Sequence, residues 1–425
     1  MSTTSHSVRD PGPLGLRKSF GFGDRLGLAT PGHLASARKF EFAPIFAQQS
    51  IREMQRTNRT PAEVMHAARS TLSAEGYGGE WGADADHLKT PEDVKQTAAA
   101  GYCFFTIDPS AHVSNDADRM APNDLASAVS AMVKDGVFEG PGWEAEYLSR
   151  AFELPGTPPL RFSSVPLRRA AVKYGRAIHH SAMMADVIAA EAGARGFEIE
   201  VSVDETDSPT SPLEHLFIAL ELKRRGVRNL VSLAPRFVGE LEKGIDYRGD
   251  VAEFERALRQ HASIARAYGP YKLSLHSGSD KFSIYPVMGR VCGELLHVKT
   301  AGTSYLEALR VAVRTDPQLF GEIAAFSRTR FATDRATYHI STTESQIASL
   351  PRGGSASDLE GPYLDEVPGR QLLHVTFGSV LTQGRRGGGQ PFKDAILEIL
   401  RRHDALHREV LVKHFDKHLG LLNAG

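Results

Sequence analysis

The chain has 425 residues, 41% hydrophobic and 24% charged, an ordinary balance for one large globular domain or two to three small ones. Fifty basic residues against 51 acidic ones leave a net charge of -1, which argues against a nucleic-acid or anionic-membrane partner. The two cysteines, Cys103 and Cys292, are too few for a disulfide framework and fit a reducing, cytoplasmic setting, and no apolar run approaches the ~18 residues needed to span a bilayer.

Residues 1–13 are polar, lack the apolar stretch of a signal peptide, and read as a disordered leader before a single catalytic domain over 14–425. Strands are expected at Lys18–Asp24 and Gly82–His87, both weakened by glycine. Clearer ones follow at Cys103–Asp108, Phe197–Asp204, Asn229–Ala234, Tyr271–His276, Leu295–Lys299, Tyr338–Ser341 and Leu372–Phe377. Helical patterns fall between them at Pro91–Ala100, Leu213–Arg225, Val251–Tyr268, Tyr305–Arg314 and Pro317–Phe331. This alternation predicts a parallel sheet, and eight or nine strands suit closure into a (β/α)8 TIM-type barrel. Two stretches break the rhythm. Ala121–Ala194, with a helix over Arg168–Ala190, reads as a helical insertion after the third strand. Thr342–Arg370 reads as an excursion between the last strands, and both are expected over the barrel mouth. Lys393–Leu422 completes the chain as one long amphipathic helix, with His403, His407, His414 and His418 on a half-exposed face.

Most predicted strands end in polar clusters: Asp84-Ala-Asp86-His87, Asp108, Asp204-Glu205-Thr206-Asp207, Arg236, His276-Ser-Gly-Ser-Asp280-Lys281 and Lys299-Thr-Ala-Gly-Thr-Ser304. In a barrel these ends meet on the face where chemistry is done. Helix capping explains Thr90 and Ser304. It does not explain histidine and lysine arriving on several strands at once. One strand histidine is usually a satisfied core residue; several at strand ends beside carboxylates predict a single divalent cation, with an open position for substrate. His87 and His276 are the first choices as ligands, and the third comes from Glu205, His297 or another carboxylate. Zinc, manganese, nickel and iron all suit such donors, with zinc favoured. Asp86, Asp204 and Glu205 are the acid–base candidates. Arg236, Lys299, Lys272 and Lys281 are the cations available for an acidic substrate. Gly21-Phe-Gly-Asp-Arg-Leu-Gly27 lacks the spacing of a dinucleotide-binding loop.

The segments Gly21–Gly27, Pro44–Glu53, Gly82–His87, Ser202–Asp207, Glu242–Tyr247, Leu275–Ser283 and His297–Ala308 resemble the tagaturonate epimerase family, over about residues 14–422. The resemblance implies interconversion of D-tagaturonate and D-fructuronate in hexuronate catabolism with a bound divalent metal, and in some relatives turnover of neutral fructose and tagatose. It implies Asp86 as proton acceptor and His87 as metal ligand. The proton donor is placed at Glu205, at the strand end, with Glu200 as the alternate. The two uronates differ at a carbon not adjacent to the ketone, so its proton is not acidified. This favours a retro-aldol route over a two-base one. A metal-dependent aldolase or ketose isomerase acting on sugars is the competing enzyme, and a sugar-binding barrel without activity the competing non-enzyme. The partner is a small sugar acid or ketose, and a homo-oligomer is left open.

Overall fold

A computed structural model of the chain describes residues 8–140 and 142–425. Eight parallel strands close on themselves: β1 (Ser19–Gly23), β2 (Ala43–Ser50), β3 (Gly82–Leu88), β4 (Phe104–Ile107), then, after an outlying antiparallel hairpin of β5 (Phe152–Leu154) and β6 (Thr157–Leu160), β7 (Glu198–Val203), β8 (Leu230–Pro235), β9 (Lys272–Leu275) and β10 (Leu296–Thr300). β10 pairs with β1 from Ser19↔His297 to Phe22↔Thr300, which seals the barrel. Helices between the strands cover its wall, so the fold is the predicted (β/α)8 type.

The strand count differs from expectation in three places. β2 was not expected, because its second half is Gln48-Gln49-Ser50; Ser50 then caps the next helix by accepting from the Glu53 backbone N–H. Tyr338–Ser341 forms no strand. Leu372–Phe377 lies inside the helix Val367–Thr382, buried from Gly369 through Phe377, so it shows no amphipathic period and reads from sequence as a strand. Removing these two and adding β2 leaves the eight observed.

With β2 counted, the insertion follows the fourth barrel strand, not the third. The 29-residue helix Ser164–Ala192 packs between Pro91–Ala99 and Pro212–Arg224, so it is itself a wall helix, and the added chain is residues 109–163. Its middle lies against the wall, where Phe138 stacks on Trp143 at 4.2 Å and Trp143 meets Phe217 of Pro212–Arg224 at 6.2 Å, while its start meets the loop after β7 at the mouth, where Asp207 N–H donates to Asn115 Oδ1 at 3.2 Å. Residues 1–7 of the expected leader lie outside the described residues, but 8–13 are docked. Trp81 donates its indole N–H to Arg9 O at 2.8 Å, and Gly12 N–H donates to Trp81 O at 3.0 Å.

After β10 the helices Thr303–Thr315, Pro317–Asp334, Val367–Thr382 and Phe392–Arg402 enclose a second apolar core around Leu309, Phe320, Leu372 and Ile396. The expected single C-terminal helix breaks at His403 (φ -120°, ψ 41°). Its second part, Asp404–Asn423, returns to the barrel, where Phe415 packs on Phe20 and Phe22 at 6.1 and 5.2 Å. His407 and His418 are therefore buried and not on a half-exposed stripe. Among the described residues no helix is long and apolar enough to cross a membrane.

These buried rings set a pH dependence. Burial pulls His33 and His418 down to about 3, and His261 and His407 to about 4. The unfolded chain takes up protons below about pH 6.5 and the folded one does not. The contribution of these four rings is thus full above that pH and lost as pH falls toward 4, at up to ~1.4 kcal/mol per pH unit for each histidine. Melting temperatures recorded from pH 7.5 to 4.5 should decline steadily below 6.5; a flat profile would mean that these rings are not held neutral.

Candidate active site at the barrel mouth

The C-terminal ends of the strands open into a narrow inner cavity lined by Gln48, Asp86, His87, His276, Lys299 and His374, among others. A wider antechamber adjoins it and shares Arg52, His87, Lys243 and His276. Neighbouring residues on a strand normally face opposite sides, yet Asp86 and His87 both face this cavity. A bulge explains it. The β3–β4 register shifts between Ala85 and Leu88, and His87 takes φ +55°, a conformation rare for a non-glycine residue.

His87 Nδ1 lies 3.0 Å from Asp108 Oδ2, which orients the ring and leaves Nε2 toward Asp86, 3.8 Å away. The His276 ring crosses it at 5.0 Å and 76°. One ligand atom each from Asp86, His87 and His276 lie within 4.8 Å of one another. Two imidazoles and a carboxylate are a fitting donor set for a divalent transition metal, and a carboxylate behind the far nitrogen of a histidine is the usual support of a metal ligand. His276 Nε2 lies 2.6 Å from Glu200 Oε1, and Nδ1 lies 3.5 Å from Asp204 Oδ1. Burial opposes its charged form, but the Asp204 and Glu200 carboxylates outweigh burial and raise it to about 10. A ligating His276 must give up that proton.

Beneath the metal candidates, Lys299 Nζ bridges Asp84 at 2.7 Å, Asp86 at 2.8 Å and Glu200 at 2.8 Å, all buried. Burial pushes Asp84 up to about 7. Asp86 is also buried, but Lys299 holds it at about 2, fully ionised. Of the cations expected to meet the substrate, Lys299 is thus already neutralised. Lys272 lies deeper, its ammonium 3.1 Å from Ser19 Oγ and lowered by burial to about 8. Arg236 stands at the antechamber rim and donates to Thr206 O. His297 is not with His87 and His276. It lies inside the barrel below Lys299, its Nδ1 2.9 Å from Ser19 Oγ and its ring 5.3 Å from Phe104, and burial lowers it to about 3. Glu205 is at the rim, 40% exposed and 3.9 Å from both Arg52 and Lys89, whereas Glu200 is inside.

Three residues that line both cavities, Arg52, Lys243 and Tyr338, had no role assigned from sequence, and His374 of the inner cavity comes from a helix and not from the strand expected there. Arg52 and Lys243 belong to segments singled out in the sequence, Pro44–Glu53 and Glu242–Tyr247, but neither segment carried a recognised strand end.

A family profile described as tagaturonate epimerase matches residues 6–422. A curated tagaturonate/fructuronate epimerase from Thermotoga maritima is 43% identical over 408 residues, covering 96% of this chain and 81% of that protein. Among solved structures, a glycerol complex of the fructuronate-tagaturonate epimerase from Cohnella laeviribosi is similar with a TM-score of 0.88 at 38% identity, covering 97% of this chain and 83% of that one. The native structure of the same Cohnella protein also gives a TM-score of 0.88, at 37% identity over the same shares.

Proposed function

The chain belongs to the tagaturonate epimerase family, an isomerase acting on carbohydrate, and we propose from that premise that it interconverts D-tagaturonate and D-fructuronate at the barrel mouth with the help of one divalent metal. The observation that carries the reading is the convergence of two imidazoles, His87 and His276, with the carboxylate of Asp86 within 4.8 Å where the inner cavity meets the antechamber. When bound, the cation polarises the sugar ketone as a Lewis acid. His87 and His276 are its imidazole ligands, and Asp108 and Glu200 hold their far nitrogens.

Asp86, kept ionised by Lys299, takes the proton of the hydroxyl on the carbon to be inverted. The O–H electrons form a new C=O, the adjacent C–C bond breaks, and its electron pair passes to the ketone-bearing half. The aldehyde half turns within the cavity, the bond re-forms on the other face, and Glu205 gives the oxygen a proton; Asp86 then releases to solvent the proton it took, and Glu205 regains one from solvent. Glu205 is the proton donor of this reading, because it lines the antechamber; Glu200 has its oxygens engaged by Lys299, His276, Thr106 and Ser232 and acts by orienting His276. Incubation with D-tagaturonate, followed by NMR with and without a chelator, tests the function. Release of two fragments would make the enzyme an aldolase, and chelator-insensitive turnover would remove the metal.

The two glutamates separate by their expected losses. Glu200→Gln should weaken metal binding about 10- to 100-fold, as the loss of a ligand's support does. Glu205→Gln should keep the metal and lower kcat by about 10²- to 10⁴-fold. Metal analysis of both purified variants beside their kcat decides; the opposite pattern would exchange the two roles.

A further inference from the structure

The substrate of the proposed reaction carries a carboxylate at the end remote from its ketone, and the mouth must supply a cation for it. Most of the cations near the cavity are spent. Lys299 serves three carboxylates. Arg25 is paired with Glu53 at 2.5 Å. Lys281 donates to Glu242 O at 2.9 Å, Ser279 O at 2.9 Å and Ile245 O at 2.5 Å. Lys243 is different. Its ammonium donates to the Ser277 hydroxyl at 2.6 Å, forms no ion pair among the described residues, and lines both the inner cavity and the antechamber. Ser277 follows His276, so this cation stands one residue from an imidazole of the metal cluster. Arg52 reaches the same two cavities, and its nearest carboxylate is Glu205 at 3.9 Å.

The segment that carries Lys243 is fixed before any ligand arrives. Lys281 ties down two of its carbonyls from below. Arg370 donates to Gly244 O at 2.6 Å, and Gln371 donates to Glu242 Oε2 at 2.8 Å, both from the helix Val367–Thr382. Gly244 has φ +73°, which a side-chain-bearing residue rarely adopts. A lysine held so firmly, beside a second cation and with no counter-ion, is a preorganised anion site.

We propose that Lys243, assisted by Arg52 and Ser277, binds the carboxylate of the sugar acid and thereby sets the preference for uronates over neutral ketoses. This rests on the reading of the mouth as a sugar-acid epimerase site. Burial, and after it the charge of Arg52, pull the Lys243 ammonium below the ordinary lysine range, and a bound carboxylate relieves both.

The test uses the metal-loaded full chain and its variants Lys243→Met, Lys243→Arg and Arg52→Gln. KM and kcat are measured for D-tagaturonate, and Ki for D-tagatose as a neutral competitor. Lys243→Met should raise KM for tagaturonate about 10- to 100-fold, the size of one charge-assisted contact, with a much smaller change in kcat and in the Ki of tagatose. Lys243→Arg should restore most of the loss, which a merely structural lysine would not require. Equal weakening of charged and neutral ligands, or an unchanged KM, would overturn the proposal. Should the wild-type chain bind tagaturonate in a Lys243-dependent way without epimerising it, the functional reading falls and the carboxylate site stands; a wild type that binds neither sugar removes both.

Discussion

His87→Ala and His276→Ala are each expected to leave the purified protein without stoichiometric metal and to lower kcat by at least about 10³-fold, since a site of so few protein ligands rarely survives the loss of one. The fold should persist in both, because the apolar core between strands and wall helices includes neither ring. The two variants should differ in stability. His276 is buried between Glu200 and Asp204, and its removal leaves the partly exposed Asp204 without its ion-pair partner, while Glu200 keeps Lys299. Removing one partner of a fully buried pair costs about 3–5 kcal/mol, and the exposure of Asp204 sets the loss below that. His87 is partly exposed, and the carboxylates it faces keep other cations, Asp108 within reach of Lys89 at 3.2 Å and Asp86 of Lys299 at 2.8 Å. Circular dichroism should therefore show a larger fall in melting temperature for His276→Ala than for His87→Ala. Retention of stoichiometric metal by both variants would sink the ligand assignment.

His87 and His276 were legible because each stands at the end of a predicted strand beside a loop, and that punctuation survives in the sequence. That Asp86 and His87 share one face was not legible, because strand parity assigns adjacent residues to opposite faces and only the bulge at φ +55° overrides it. Lys272 and His297 show a different limit. Parity correctly turns them into the barrel, but parity says nothing of depth, which is set by how the strands stagger on closure. Both stop at the level of Ser19, a layer below the mouth. Lys299 was visible as a strand-end cation, but the acids that neutralise it come from β3 and β7, and their approach follows from closure alone. β2 was missed for its glutamines, although Gln48 faces the site and lies 3.4 Å from Asp86 Oδ2. The C-terminal histidines had the right spacing for one helix face; what that face meets, the barrel and Asp280, is long-range packing.

Asp86→Asn should abolish measurable turnover, a loss of about 10²- to 10⁴-fold for a positioned base and more if metal is also lost. The substitution keeps the shape of the side chain, and Lys299 retains Asp84 and Glu200 as counter-charges, so the barrel should fold and the effect should be chemical. This tests the residue; the isotope tests the route. The inverted carbon lies one bond too far from the ketone for its proton to be labile, whereas its hydroxyl proton is within the chemistry of an ionised carboxylate. Breaking C–C through that hydroxyl leaves the C–H bond untouched. Turnover in heavy water should then place no deuterium on the inverted carbon of the product, as read by NMR and mass. Exchange between two carboxylates would place it there, unless one shielded group removed and returned the same proton. Substrate deuterated at that carbon closes this gap: the C–C route predicts a small secondary isotope effect on kcat, and proton abstraction a primary one. A primary effect, or solvent deuterium at the inverted carbon, would overturn the C–C route and make Asp86 and Glu205 a pair of carbon acid–base groups on opposite sides of the sugar.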